Sequence, residues 1–242
     1  MGGYGYVRFM LPLFTDKAVQ LTYWPVVATF TVCSIVFASL TAIRQIDVKR
    51  IIAYTSISHM NLAVLGVFSY TLQGINGSIA LMIGHGFVSA GLFLGIGVIY
   101  DRYHSRLVKH YGGLAQPMPI FALFFLFLSF ANMAFPGTYN FVGEFLIMLG
   151  LFKVYPITTI LASLGMLLSG VYSVWLANRL LFGDVKTTYI SFFSDMTLRE
   201  VIYFTLLVIP TIYFGILPSV VDNFLGDETI SLLEIAQNRI SS

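Results

Sequence analysis

Charge is what this sequence has least of. Lysine, arginine, aspartate and glutamate make up 10% of its 242 residues, against about 25% in an ordinary soluble domain. So few charges cannot cover a water-facing surface, and 57% of the chain is hydrophobic. That combination identifies an all-α polytopic membrane protein. Cysteine occurs once, as Cys33, which excludes a disulfide framework and a cysteine metal site. Its place inside an apolar run predicts a small core residue. His, Cys, Asp and Glu are never paired at metal-ligand spacing, so no metal site is expected. No glycine-rich loop follows a strand, which leaves nucleotide binding without support. No base stands beside a serine or the cysteine, and a nucleophilic triad is equally unsupported. The net charge is only +2, with basic residues spread along the loops, so no nucleic-acid partner is expected. The opening residues carry neither a charged leader nor a myristoylation motif. Internal repeats, low-complexity segments and inserted soluble domains are not evident.

What the chain does have is long apolar runs. Residues 1–11 are apolar but too short to cross a bilayer, and read as the end of a helix completed elsewhere. Pro12 to Leu21 reads as a polar turn. Tyr23-Trp24-Pro25 then opens a span to about Ile43, with the proline in the first turn. Further spans are expected at about Ile51–Tyr70, Ser78–Tyr100, Ile157–Leu181 and Val201–Leu217, with an uncharged turn over Thr71–Gly77. That makes about six full transmembrane helices, counting the run discussed next. The tail, 222–242, is polar and acidic at its start. Arg44, Lys49, Arg50, Arg102, Arg106, Lys109, Arg179, Lys186 and Arg199 fall on one side of the alternating loops. Lys17, Lys153 and Arg239 fall on the other. The positive-inside rule places the first set in the cytoplasm or its mitochondrial equivalent.

The run from Met118 to Leu151 is too long for one crossing. At 1.5 Å per residue it would reach ~50 Å, against a hydrocarbon core of ~30 Å. Pro136 and Gly137 predict a break near its middle, giving two half-helices over about 118–152. Broken helices at membrane depth are tolerated only where protein or a wet cavity receives them. Glu144 follows the break, among apolar neighbours. An ionisable group at that depth costs ~2.5–3.5 kcal/mol even on lenient scales and marks a functional site by default.

Two histidines join it: His59 and His85. Thr55 and Ser56 precede His59 by about one turn, and Ser89 follows His85 by one, placing hydroxyls beside each imidazole. Glycines flanking His85 admit a neighbouring helix closely. Imidazole gives and accepts protons near neutral pH, so Glu144, His59 and His85 read as a proton relay. Taken singly, each histidine is as readily a helix-packing group. The Asp47/Lys49 pair reads as a helix start whose acid offsets its base, and Tyr100-Asp101-Arg102 as an interfacial anchor.

Several stretches together resemble one family: Met1-Gly2-Gly3-Tyr4-Gly5, LTAIRQIDVKRIIAYTSISHM at 40–60, Ile83-Gly84-His85-Gly86, Tyr100-Asp101-Arg102 and PGTYNFVGEF at 136–145. They resemble the antiporter-like proton-pumping subunits of NADH:ubiquinone oxidoreductase, respiratory complex I, in the C-terminal half of the mitochondrial chain 4 type. The resemblance covers essentially the whole chain. It implies inverted five-helix repeats, each with a broken helix. Residues 22–181 would be the second repeat, 199–218 the last transmembrane helix and 222–242 a tail along the intermembrane-space face. Glu144 matches the family's essential acid on the second broken helix, with Asn140, Pro136 and Gly137 as supporting residues. His59 and His85 match histidines of its hydrophilic axis.

The resemblance also implies FMN, iron–sulfur clusters, NADH and ubiquinone elsewhere in the assembly and no cofactor in this chain. Adjacent antiporter-like subunits and membrane lipids are the implied partners, and the mitochondrial inner membrane the location. The family's central lysine stands just before the Gly-Gly-Tyr-Gly stretch and is absent here. Either the subunit is split, with its N-terminal half a separate chain, or the sequence is truncated; a methionine at position 1 favours the split. A partner helix is then expected against residues 1–11, presenting a lysine toward His59. The rival readings are an assembly fragment without transport, and a subunit of a related cation/proton antiporter or membrane hydrogenase.

Overall fold

The computed structural model describes residues 2–13, 17–185, 194–221, 223–224 and 229, with backbone only for 17–21. The helices are α1 (Gly2–Gly5), α2 (Leu11–Leu13), α3 (Lys17–Arg44), α4 (Val48–Val67), α5 (Leu72–Tyr103), α6 (Pro119–Asn132), α7 (Tyr139–Val154), α8 (Pro156–Leu181) and α9 (Leu198–Ile216). A π-helical turn, Tyr6–Met10, joins α1 to α2. Among the described residues, four helices are long and apolar enough to cross a membrane: Thr22–Arg44, Leu72–Tyr103, Pro156–Leu181 and Leu198–Ile216. α4 and the α6–α7 pair pack among them.

Several expectations are corrected. Lys17–Leu21 is helical, so part of the expected polar turn belongs to α3 and Pro25 lies inside the helix rather than in its first turn. Cys33 is exposed: the packed face of α3 is Ala28, Ile35, Ala38 and Ala42, and Cys33 falls outside that stripe. The turn expected over Thr71–Gly77 is mostly helix. Thr71 caps α5 by accepting from Gly74 N at 3.0 Å, and helix follows at once. The acidic tail lies almost wholly outside the described residues.

The glycines read as a turn have another use. A Cβ on Gly77 would lie 2.7 Å from Ile147 N, one on Gly143 2.6 Å from Leu81 N, and one on Gly150 2.6 Å from Gly74 N. Small residues on both helices thus bring the backbones of α5 and α7 into contact, the way membrane helices pack where burial from water supplies no drive.

The helix break has a specific origin. Phe135 N donates to Phe130 O at 3.1 Å and Ala134 N to Ala131 O at 3.2 Å. Those two bonds are a Schellman ending with Ala134 as its left-handed residue, at φ 56°. The helix therefore stops ahead of Pro136. The proline stands exposed in the connecting loop, where it forbids continuation but does not itself kink a helix. Gly137, at φ 96°, completes the turn. Gly215 on α9 lets that helix approach the loop: a Cβ there would lie 2.4 Å from Gly137 O.

One end of the bundle is knitted by polar contacts. Val48 N donates to Arg106 O at 2.9 Å and Val108 N to Ile46 O at 3.0 Å. Arg102 forms a two-pronged contact with Glu200 at 3.0 and 2.8 Å. Asp47 caps α4 through the backbone N of Lys49 at 2.9 Å, so the acid serves the helix end rather than the lysine's ammonium.

Candidate functional site

The chemistry gathers where α4, α5, α7 and α8 meet. Glu144 stands in the second turn of α7, where the break has reset the helix. Asn140 fixes that restart by donating through Nδ2 to Ala131 O at 3.1 Å, which ties α7 to the end of α6. Gly84 makes room, since a Cβ there would lie 2.5 Å from Asn140 Oδ1. Glu144 is thereby presented to α4 as a buried carboxyl, 1% exposed.

His59 meets it. His59 Nδ1 and Glu144 Oε1 are 2.8 Å apart, with the imidazole 3% exposed. The other ring nitrogen, Nε2, faces the hydroxyl of Tyr172 on α8 at 3.3 Å. The ring of His85 on α5 lies 5.2 Å from that of His59, centroid to centroid, and its Nε2 pairs with Ser56 Oγ at 2.9 Å. The two histidines and the glutamate expected from sequence thus form one contiguous group. Glu144 Oε2 and His85 Nδ1 are buried without a protein partner among the described residues.

The supporting residues divide. Ser56 serves His85, not His59. Thr55 bonds its own helix through Ile52 O at 2.8 Å. Ser89 contacts Gly86 O at 3.5 Å and has no bond to His85. Both corrections have the same physical cause: helical Ser and Thr hydroxyls return readily to carbonyls three or four residues back. Of the glycines flanking His85, only Gly84 mediates close approach; a Cβ at Gly86 would meet nothing within 4 Å. Pro136 and Gly137 shape the loop and do not touch the pair.

Beside the pair is a small void of about 10 Å³, lined by Ser58, His59, Glu144 and Ser169 with five apolar or glycine neighbours. It is about the size that admits one water. Ser58 reaches α3 through Ser39 Oγ at 3.0 Å. On the far side, Asn132 Nδ2 approaches Ser173 Oγ at 3.4 Å. Polar groups thus lie both at the helix break and beside the histidines, within an apolar bundle. Carboxyl and imidazole in contact, out of water, can share one transferable proton. Among the described residues no group of three or more His, Cys, Asp or Glu could hold a metal ion.

Sequence reasoning missed Tyr172, Ser58 and Ser169. Each is buried, but hydroxyl residues recur along both α4 and α8 and nothing local marks these three as the ones beside the pair.

Comparison with known proteins follows the same lines. The family described as NADH:quinone oxidoreductase/Mrp antiporter, TM, matches residues 1–208. NADH-ubiquinone oxidoreductase chain 4 of Chondrus crispus is 48% identical over 97% of this chain and 47% of its own length. NADH-quinone oxidoreductase subunit M of Rhodobacter capsulatus is 43% identical over 97% of this chain and 45% of its own. The chain spans about half the length of the curated relatives it matches. Among solved structures, a chain of respiratory complex I from Thermus thermophilus superposes with TM-score 0.89 at 28% identity, covering 97% of this chain and 49% of that one. The archaeal membrane-bound sulfane sulfur reductase shares the fold, at TM-score 0.84 and 22% identity over 98% of this chain and 47% of that one.

Proposed function

The chain belongs to the NADH:quinone oxidoreductase/Mrp antiporter transmembrane family, and from that premise we propose that it is the C-terminal portion of a proton-translocating membrane-arm subunit of respiratory complex I. The observation that carries the reading is the buried His59–Glu144 contact, 2.8 Å long, just beyond a broken helix. An isolated charge there is prohibitive, whereas a pair sharing one proton is tolerable. The pair is loaded when a proton enters and unloaded when neighbouring charge shifts.

The work asked of this chain is electrostatic. Moving one charge against the membrane potential costs about 2.3 kcal/mol per 100 mV. A carboxyl whose partner's protonation changes within contact distance supplies an affinity change of that order, because Coulomb terms grow as water is excluded. His85 extends the path from His59 toward Ser56. NADH oxidation and ubiquinone reduction, with FMN and iron–sulfur clusters, are assigned to other parts of the assembly, and no cofactor to this chain. The upstream half of the subunit, as a separate chain or as the same one, packs on α1 and α2 and presents a lysine toward His59. Adjacent antiporter-like subunits and lipid surround the rest. The location proposed is the mitochondrial inner membrane, with the Arg44, Arg102, Arg106 and Arg179 end toward the matrix and the C-terminal tail toward the intermembrane space.

The test is Glu144→Gln in the assembled complex, reconstituted into sealed vesicles. Protons moved per NADH oxidised should fall sharply while assembly is kept. An unchanged ratio overturns the reading and favours an assembly role. Identification of the subunits that co-purify separates complex I from a cation/proton antiporter.

A further inference from the structure

Tyr172 reaches His59 from α8. It is fully buried, and its hydroxyl lies 3.3 Å from His59 Nε2, while Glu144 occupies Nδ1 on the opposite edge of the ring. The ionisable groups facing His59 from neighbouring helices are Glu144 from α7, His85 from α5 and Tyr172 from α8. The Nε2 of His85 is taken by Ser56, so Tyr172 is the described side chain bonded to His59 Nε2.

The ring's chemistry makes that position demanding. A neutral imidazole carries one N–H and one lone pair, and the cation two N–H groups. When the pair is loaded it holds two hydrogens, one between Nδ1 and Oε1 and the other on Nε2, where it needs an acceptor. When one proton has left, the one that stays lies on Nδ1 facing the carboxylate, and Nε2 presents a lone pair that needs a donor. Either requirement unmet leaves a buried polar nitrogen alone. A hydroxyl meets both, since rotation about its C–O bond turns the same atom from acceptor to donor.

We propose that Tyr172 is a positioning residue whose hydroxyl reverses its hydrogen bond to His59 each time the His59–Glu144 pair takes up or releases a proton. It acts through His59 and need not itself lose a proton. The inference rests on the reading of the pair as a proton carrier.

The experiment uses the assembled complex in sealed vesicles, with Tyr172→Phe, Glu144→Gln and the double variant. Tyr172→Phe should lower protons moved per NADH by about fivefold or more, the scale set by one unpartnered buried nitrogen. It should also move the pH midpoint of coupled turnover by about one unit or more, leaving uncoupled NADH oxidation intact. The double variant should fall no lower than Glu144→Gln alone, as for groups acting as a unit. Wild-type pumping with an unmoved pH profile in Tyr172→Phe overturns the proposal, and so does an additive loss in the double variant. Should the phenylalanine variant fail to assemble, Tyr172→Gln decides: it keeps a donor and an acceptor, so a wild-type pH profile supports the role and a displaced one overturns it. If Glu144→Gln pumps normally, the proton-carrier reading itself has failed.

Discussion

Two ion pairs in this molecule have the same length and opposite surroundings. His59–Glu144 spans 2.8 Å with side chains 3% and 1% exposed, and Arg102–Glu200 spans 2.8 Å with side chains 14% and 22% exposed. The first joins two helices in mid-bundle, has few other hydrogen bonds and leaves Glu144 Oε2 without a protein partner. The second sits at a helix end among many: Arg102 also donates to Ser194 O, Asp195 O and Val98 O at 3.0, 3.0 and 2.9 Å, and Glu200 closes a capping box with Thr197. Asp195 in turn accepts from Ile120 N at 3.0 Å at the start of α6. A saturated cluster has one comfortable state and holds a structure. An under-satisfied buried pair can take more than one proton arrangement, which the proposed carrier role requires.

The largest effect that would sharpen this contrast comes from removing one partner of the buried pair. His59→Leu strands the Glu144 carboxyl, and breaking a buried pair this way costs about 3–5 kcal/mol. Thermal stability of the assembled complex should fall, and His59→Leu/Glu144→Leu should recover most of the loss because no charge is left behind. A double variant no more stable than the single one would break the comparison.

At the other end of the bundle the prediction reverses. Arg102→Leu removes the two-pronged contact to Glu200 and three carbonyl bonds, at about 2–3 kcal/mol for charged hydrogen bonds so placed. Stability should drop in proportion, with protons moved per NADH in the surviving complex unchanged. A selective loss of pumping would mean that the cluster takes part in transport after all.

How much of this was legible beforehand follows the type of signal. Apolar runs gave the spans, and an acid beyond Pro136 stood out because the bilayer makes charge costly. The exact stop did not stand out: alanine is an unusual left-handed cap, so nothing at Ala134 announces a Schellman ending. Gly74 and Gly77 sit in an uncharged stretch whose composition predicts a turn, though their spacing with Leu81 and Gly84 is the three-or-four-residue period of a packing face. The link between His59 and Glu144 spans 85 residues, and no local pattern carries it. Tyr172 is one of 14 tyrosines, indistinguishable until α8 is packed against α4.

The smallest expected effect tests whether the site's geometry depends on that packing face. Gly84 and Gly86 flank His85 and look equivalent in sequence, but an added methyl at Gly84 would lie 2.5 Å from Asn140 Oδ1 and 3.1 Å from its backbone N, while one at Gly86 would meet nothing within 4 Å. Gly84→Ala should push α5 from the restart of α7, at about 1–2 kcal/mol for overpacking, and lower pumping because Asn140 no longer holds α7 in register under His59. Gly86→Ala should leave pumping alone and stabilise the helix by up to about 1 kcal/mol through helix propensity. The difference between these two variants isolates the α5–α7 contact from everything else near His85. Equal pumping in both would mean that the Glu144 carboxyl is placed by α4 and α8 alone, and that the glycine contact serves assembly rather than the carrier.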